Sequence, residues 1–178
     1  MVKYKPTRRM QFRRRREGKT DYKRRLKLLR SGKPRFVVRK GLKYIRCQVV
    51  QFDPKGDRTL ASAISQTLQK LGWTFACDNL PAAYLTGFMI GKFSNAKGVH
   101  EAVLDIGLHP STKGSRLYAA AKGAIDAGLK IPADEEMFPD EKRIRGEHIA
   151  ARDAKYKDMP KKFEEVKAKV EKYGGKEK

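Results

Sequence analysis

Residues 36–52, FVVRKGLKYIRCQVVQF, decide the fold class. Phe36, Val37 and Val38, and then Tyr44 to Phe52, are rich in β-branched and aromatic side chains, which suit a pleated, half-buried surface. Between them lies Arg39-Lys40-Gly41-Leu42-Lys43. Glycine lets a chain reverse tightly. The segment therefore predicts a β-hairpin with a basic turn that presents Arg39 and Lys40 outward. Gly32-Lys33-Pro34 breaks the chain before it, and Asp53-Pro54-Lys55-Gly56-Asp57 turns the chain after it.

Working outward, residues 58–71 fit two readings. Leu60, Ile64, Leu68 and Leu71 have helical spacing, whereas Thr59 to Ala63 suit a short strand leading into a helix; periodicity alone does not decide. Asn79 is placed to cap a helix over roughly residues 80–96, with Leu85, Phe88, Met89, Phe93 and Ala96 as its apolar stripe. Gly87 and Gly91, one turn apart, would admit a neighbouring sheet closely. Residues 99–107, centred on Val103, Leu104 and Ile106, predict a buried strand. Ser115 is a candidate N-cap for a helix through Leu117, Ala121, Ala124 and Ile125 to Gly128. Hairpin, third element, helix, strand and helix make an α/β domain with a mixed sheet, closed by Pro132.

The flanks differ from this body in charge. The chain carries 42 Lys/Arg against 20 Asp/Glu, a net charge of +22. Residues 1–30 hold 14 bases and 2 acids, whereas residues 132–178 hold 13 and 12. Such an excess opposes compaction unless a polyanion neutralises it. The candidate polyanions are nucleic acid and anionic membrane, and no apolar run approaches a membrane span, so insertion is excluded. Residues 1–19 lack apolar periodicity and read as an arm that orders on meeting its partner. Thr20 is a candidate cap for a short helix with Tyr22, Leu26 and Leu29 on one face and Lys23, Arg24, Lys27 and Arg30 on the other. Residues 140–157 and 160–173 read as helices. In the second, Phe163, Val166, Val170 and Tyr173 form a stripe too narrow for an independent core, which must dock on the body or on a neighbouring molecule. The organisation expected is a basic arm with its short helix over residues 1–31, a body over 32–131 and a charged helical extension over 132–178.

Catalytic and metal-binding motifs are few. There is no GxGxxG, and Gly87 with Gly91-Lys92 has the wrong spacing for a phosphate loop. His100, His109 and His148 form no Cys/His cluster, so neither metal nor cofactor is expected. Cys47 and Cys77 lie outside any CxxC, which suits a reducing, cytoplasmic setting, and the start shows no secretory h-region. Asp53, Asp105 and Asp126, with Glu101 near Asp105, allow an alternative reading as a metal-dependent RNA-processing nuclease. The plainer reading is that Asp105 is held by an arginine or by backbone. The positive signal lies in the arm, where Arg8, Arg9, Arg13, Arg14, Arg15 and Arg16 are interleaved with Tyr4, Phe12 and Tyr22. Guanidinium groups bind phosphates bidentately and stack on bases, and aromatic rings offer platforms to unpaired bases. No helix-turn-helix or zinc finger is visible, so RNA is the polyanion expected. A general RNA chaperone, in which only charge matters, is a third reading.

Several segments resemble one known family: RRRREGKTDYKRRLKLLRSGKPR (13–35), LPAAYLTGFMIGK (80–92), EAVLDIGLHPSTKGSR (101–116) with AAAKGAIDAGLKIP (119–132), and RGEHIA (145–150). Together they are similar to the archaeal form of ribosomal protein L-eighteen, over about residues 4–151 and loosely beyond. The resemblance implies a non-enzymatic constituent of the large subunit. It would bind 5S rRNA and anchor it to large-subunit rRNA in the central protuberance, beside the L-five family protein. It implies a body similar to the ribonuclease H-like motif without catalytic metals, and a strand near residues 58–63. It also implies RNA contacts on the arm from Arg8 to Arg25, including Arg24, on Arg35, on Arg39 and Lys40, and around Lys113, Ser115 and Arg116.

Overall fold

The hairpin is the centre of a mixed sheet. The computed structural model describes residues 9–173, so the expectations for Tyr4 and Arg8 lie outside the described residues. A helical turn, α1 (Arg13–Arg16), and a two-turn helix, α2 (Tyr22–Leu29), precede strands β1 (Arg35–Lys40), β2 (Ile45–Gln51) and β3 (Arg58–Ile64). A short helix α3 (Thr67–Lys70), the long helix α4 (Leu80–Ala96), strand β4 (Val103–Asp105) and helix α5 (Arg116–Asp126) follow. Beyond them come two single turns, α6 (Glu141–Ile144) and α7 (Glu147–Ala150), and helix α8 (Met159–Tyr173). The sheet order is β3-β2-β1-β4, with β1–β2 and β2–β3 antiparallel and β1–β4 parallel.

Side chains alternate across a strand. Phe36, Val38, Ile45, Cys47, Val49, Ala61 and Ala63 are buried on the face that receives α4 and α5. By the same alternation Arg35, Val37, Arg39, Arg46, Gln48, Ser62 and Asp105 lie on the other face. β1 runs on through Lys40, which pairs with Ile45, and the loop is Gly41 to Tyr44, where the Gly41 N–H donates to the Tyr44 carbonyl at 2.8 Å. Arg39 and Lys40 are therefore strand residues on opposite faces, not two charges displayed together by a turn.

Residues 58–64 resolve as the strand, with an irregularity opposite Val49 and Val50 that lets β3 bend. Ser65 ends the pairing, its hydroxyl accepting from the Ile45 N–H at 3.0 Å. The strand expected over residues 99–107 shrinks to three residues at the sheet edge. Val103 and Leu104 are half-buried there, and the charged Asp105 is buried.

α4 is buried all round, with 14 of its 17 residues inside, rather than along one stripe. Its two buried hydroxyls avoid being orphaned by bonding within the helix: Thr86 donates to the Ala82 carbonyl and Ser94 to the Ile90 carbonyl, each at 2.7 Å. Gly87 and Gly91 admit helix α5, not a sheet. A Cβ on Gly87 would collide with the Ala120 carbonyl, one on Gly91 would meet the Ala127 Cβ at 2.6 Å, and one on Gly123 would collide with the Tyr84 carbonyl. The two helices thus pack backbone against backbone, with Ala119, Ala120 and Ala124 filling the seam.

The single helix expected over residues 140–157 is broken, because Gly146 adopts φ 81° between α6 and α7. α8 docks its stripe on α4 of the same chain. Phe163, Val166 and Val170 are buried, the Phe163 ring lies 5.5 Å from that of Tyr84, and the Tyr173 ring lies 6.2 Å from that of Phe93. Ile144 and Met159 join the same core.

Candidate nucleic-acid interface

The basic segment before β1 is more ordered than its pattern suggested. Arg13 to Arg16 form one exposed helical turn. Glu17 holds it from below, pairing with Arg13 at 3.0 Å and Lys19 at 2.8 Å. Gly18, at φ 64°, then reverses the chain so that the Arg14 Nε donates to the Thr20 hydroxyl at 2.9 Å. The Phe12 and Tyr22 rings sit 5.3 Å apart, which joins the two turns by an aromatic pair.

Asp21, not Thr20, caps α2. Its carboxylate accepts from the Lys23 and Arg24 backbone N–H groups at 2.9 and 3.1 Å. The face turned inward carries Tyr22, Arg25, Leu28 and Leu29, all half-buried, while Leu26 is exposed. The helix is rotated from the apolar stripe expected because two arginines tie it to the body. Arg24 donates to the Gly107 carbonyl at 3.0 Å, and Arg25 donates to both oxygens of Asp57 at 2.9 Å.

Asp57 begins a chain of alternating charges. The Arg35 Nη2 reaches Asp57 at 2.6 Å and its Nη1 reaches Asp105 at 2.8 Å; Arg39 reaches the other Asp105 oxygen at 3.0 Å. The Gly107 N–H adds a bond to Asp105 at 2.9 Å. The run Arg25–Asp57–Arg35–Asp105–Arg39 therefore joins α2, the turn before β3, β1 and β4. Burial pushes the Asp105 carboxyl up. The Arg39 charge, with hydrogen bonds from Arg39, Gly107 and Arg35, outweighs that and holds it below the usual carboxylate range. Arg35 is only 5% exposed and its Nε has no partner. The residue expected to touch RNA is thus turned inward, where it organises the surface from behind.

Above this chain opens a cavity of about 530 Å³. It gathers the expected Arg14, Arg24, Arg25, Arg35 and Arg39, and adds Lys19 and His109, which the sequence reading did not single out. The acids in its wall, Asp21, Asp57 and Asp105, all bond to arginines or backbone N–H groups of the site itself. A second cavity of about 330 Å³ adjoins it, lined by the expected Arg15 and Tyr22 and by Lys23. Arg9, Phe12, Arg13 and Arg16 are exposed and line neither cavity. Lys40, Lys113, Ser115 and Arg116 line neither cavity. Arg116 turns to the Asp78 carbonyl at 2.5 Å, Lys113 lies 3.8 Å from Glu136, and Ser115 precedes α5 with its hydroxyl buried and unpaired. Arg46 is exposed on the outer face of β2 and was not among the expected contacts. The alternation Ile45-Arg46-Cys47-Gln48-Val49 carried that signal.

The acids of the nuclease alternative have separate partners. Asp53 accepts from the Lys55 N–H, Asp126 accepts from the Tyr84 hydroxyl at 2.8 Å, and Glu101 pairs with Lys33 at 2.6 Å. Among the described residues no three His, Cys, Asp or Glu side chains gather into a metal-holding group. No described helix is long and apolar enough to cross a membrane.

Comparison with known proteins bears on the same segments. The chain matches the family described as ribosomal large subunit proteins 60S L5, and 50S L18, over residues 7–98 and 92–134. It is similar to the large ribosomal subunit protein uL18 of Korarchaeum cryptofilum (strain OPF8). The two are 57% identical over 142 residues, which is 80% of this chain and 73% of that protein.

Proposed function

The chain belongs to the family of ribosomal large subunit proteins 60S L5 and 50S L18, and on that premise we propose that it binds 5S rRNA and anchors it to large-subunit rRNA in the central protuberance. The family makes it a constituent of the large ribosomal subunit, in the ribosome in the cytoplasm, associated with rRNA. The role is structural rather than enzymatic, with the L-five family protein as a neighbour. Residues 1–31 serve as the RNA arm, residues 32–131 as a body similar to the ribonuclease H-like motif, and residues 132–178 as an extension.

The observation that carries the reading is the cavity above the alternating-charge chain. Arginines from α1, α2 and β1 and a lysine from the turn between α1 and α2 converge there, while the acids bind back to the arginines and to backbone N–H groups and leave the rim positive. The cations are fixed by hydrogen bonds before any RNA arrives, which lowers the ordering cost of binding. A chaperone acting by charge alone has no use for such fixation. Arg9, Arg13, Arg15 and Arg16 supply phosphate contacts, and Phe12 and Tyr22 supply stacking surface. Lys40 and Lys113, which line neither cavity, are left for the second RNA, whereas Arg116 is held by Asp78 and the Ser115 hydroxyl is buried.

Competition binding tests this. Labelled 5S rRNA is displaced by unlabelled 5S rRNA and by an unrelated RNA of equal length at one fixed salt concentration. The reading expects 5S rRNA to compete at least tenfold better, and Arg14→Ala with Arg24→Ala to remove most of that preference. Equal competition by both RNAs would return the protein to the chaperone class.

A further inference from the structure

A third cavity, of about 130 Å³, opens where α4, α5, α6 and α8 converge, and none of its lining residues belongs to the two basic cavities. Tyr84, Ile144 and Phe163 make its floor and are buried in the core. Asp126, Glu141 and Glu164 stand in its wall, together with Lys122, Arg145 and Lys167. It exists only because the C-terminal extension docks on α4, since α6 and α8 supply six of these nine residues or their immediate flank.

The three cations are already answered. Lys122 lies 3.4 Å from Asp126, Arg145 lies 3.8 Å from Glu164, and Lys167 sits over the Tyr84 and Phe88 rings at 5.7 and 5.6 Å. One acid is not. Among the described residues the Glu141 carboxylate makes no hydrogen bond and no ion pair. The floor feels the same sign of charge. Burial pushes the Tyr84 hydroxyl up, and its hydrogen bond to Asp126 and the charges of Asp126, Glu164 and Glu141 push it further. The cavity is therefore short of one positive charge.

Size narrows the occupant. Sites for whole small ligands run to roughly 300–1,000 Å³, whereas a protein cavity of about 150 Å³ holds one benzene. A single flat group the size of a benzene ring or smaller, positively charged, fits both limits. The guanidinium of arginine is such a group, planar and rich in donors for carboxylates, and arginine is a frequent anchor in the pockets of protein interfaces. RNA carries no cationic group of this kind, so the donor is a protein. We propose that this cavity receives one arginine side chain from a neighbouring protein of the large subunit, its guanidinium lying on the Tyr84 and Phe163 floor and pairing with Glu141. The surrounding surface suits a protein better than RNA, because residues 132–178 balance 13 bases with 12 acids. The chain then divides its contacts, RNA at the basic end and protein at the extension.

The test has two arms. In the first, the full chain with labelled isoleucine methyl groups is titrated with N-acetyl-arginine methylamide, its lysine counterpart, spermidine and inorganic phosphate, and the Ile144 methyl resonance is followed by NMR. The arginine compound is expected to shift it saturably and to bind more tightly than the other three. Glu141→Gln, which alters an exposed and unpaired carboxylate, is expected to weaken it about two- to fivefold, the range of a partly exposed ion pair, with the thermal transition unchanged. No shift with arginine, equal or tighter binding of lysine, spermidine or phosphate, or an arginine affinity untouched by Glu141→Gln would overturn the proposal. In the second arm p-benzoylphenylalanine replaces Arg145 in the full chain, which is assembled into large subunits and irradiated. A cross-link to an arginine-containing segment of another ribosomal protein is expected. A cross-link to rRNA, to a segment without arginine, or none would overturn the proposal. Binding of 5S rRNA is expected to be the same for wild type and Glu141→Gln, so the rRNA-binding reading stands or falls separately.

Discussion

Asp105→Asn isolates the charge that holds the interface together. The substitution keeps the shape of the side chain and removes its negative charge. The Asp105 side chain is 8% exposed and accepts from Arg35 at 2.8 Å, Arg39 at 3.0 Å and the Gly107 N–H at 2.9 Å. Breaking one side of a buried pair typically costs about 3–5 kcal/mol. Arg35 retains Asp57, and the Arg39 side chain is 41% exposed and keeps its bonds to the Val38 and Asp105 carbonyls, so the lower end applies, roughly 3 kcal/mol. For a chain of this size that lowers Tm by roughly 6–12 °C at pH 7. Acid supplies the control. Asp105 titrates below the usual carboxylate range when folded, so its contribution is complete above about pH 4 and is lost as pH falls through the lowered folded value. The gap between wild type and Asp105→Asn, followed by circular dichroism melts, therefore closes in strong acid. A gap under 2 °C at pH 7, or one that does not narrow with acid, would refute the reasoning.

Three other outcomes follow from the same structure. Deleting residues 1–30 removes 14 basic residues and frees Asp57 from Arg25; if ~6–8 phosphate contacts are lost, the slope of log K against log salt becomes shallower by about 4–6, read by titration at several salt concentrations. Truncation after Ile131 strips Ile144, Met159, Phe163, Val166 and Val170 from the core. At about 1.5–3 kcal/mol each this approaches the whole stability of a typical domain, so the truncated chain loses its cooperative thermal transition. Gly123→Ala drives a methyl group into the Tyr84 carbonyl and separates α4 from α5, lowering stability by about 1–3 kcal/mol or more, read from the urea midpoint.

The sequence was most legible where one element answered to one signal. Asn79 does cap α4, its side chain accepting from the Ala82 N–H at 2.9 Å, and residues 80–96 are helical as the spacing predicted. The hairpin and the mixed sheet were equally readable. Misreadings arose where a partner distant in sequence decides. α2 is rotated because Arg25 answers Asp57, thirty-two residues away, and no local pattern encodes that. Asp105 sits at a buried edge position because two arginines of β1 wait for it. Gly87 and Gly91 announced a close approach but not what approaches, which is set by Gly123 and its alanine neighbours. The cations of the interface were visible as composition. Their convergence with His109 depends on the loop after β4 folding back beneath α2, and that is a tertiary fact.

The most direct measurement is the identity of the RNA that stays bound when the intact protein is recovered from cells and washed at rising salt. Non-specific phosphate contacts weaken steeply with salt, while specific ones persist. The account predicts that 5S rRNA becomes the dominant retained species as salt rises and that Arg14→Ala with Arg24→Ala releases it early. Retained RNA that mirrors cellular abundance at every salt concentration would contradict the account.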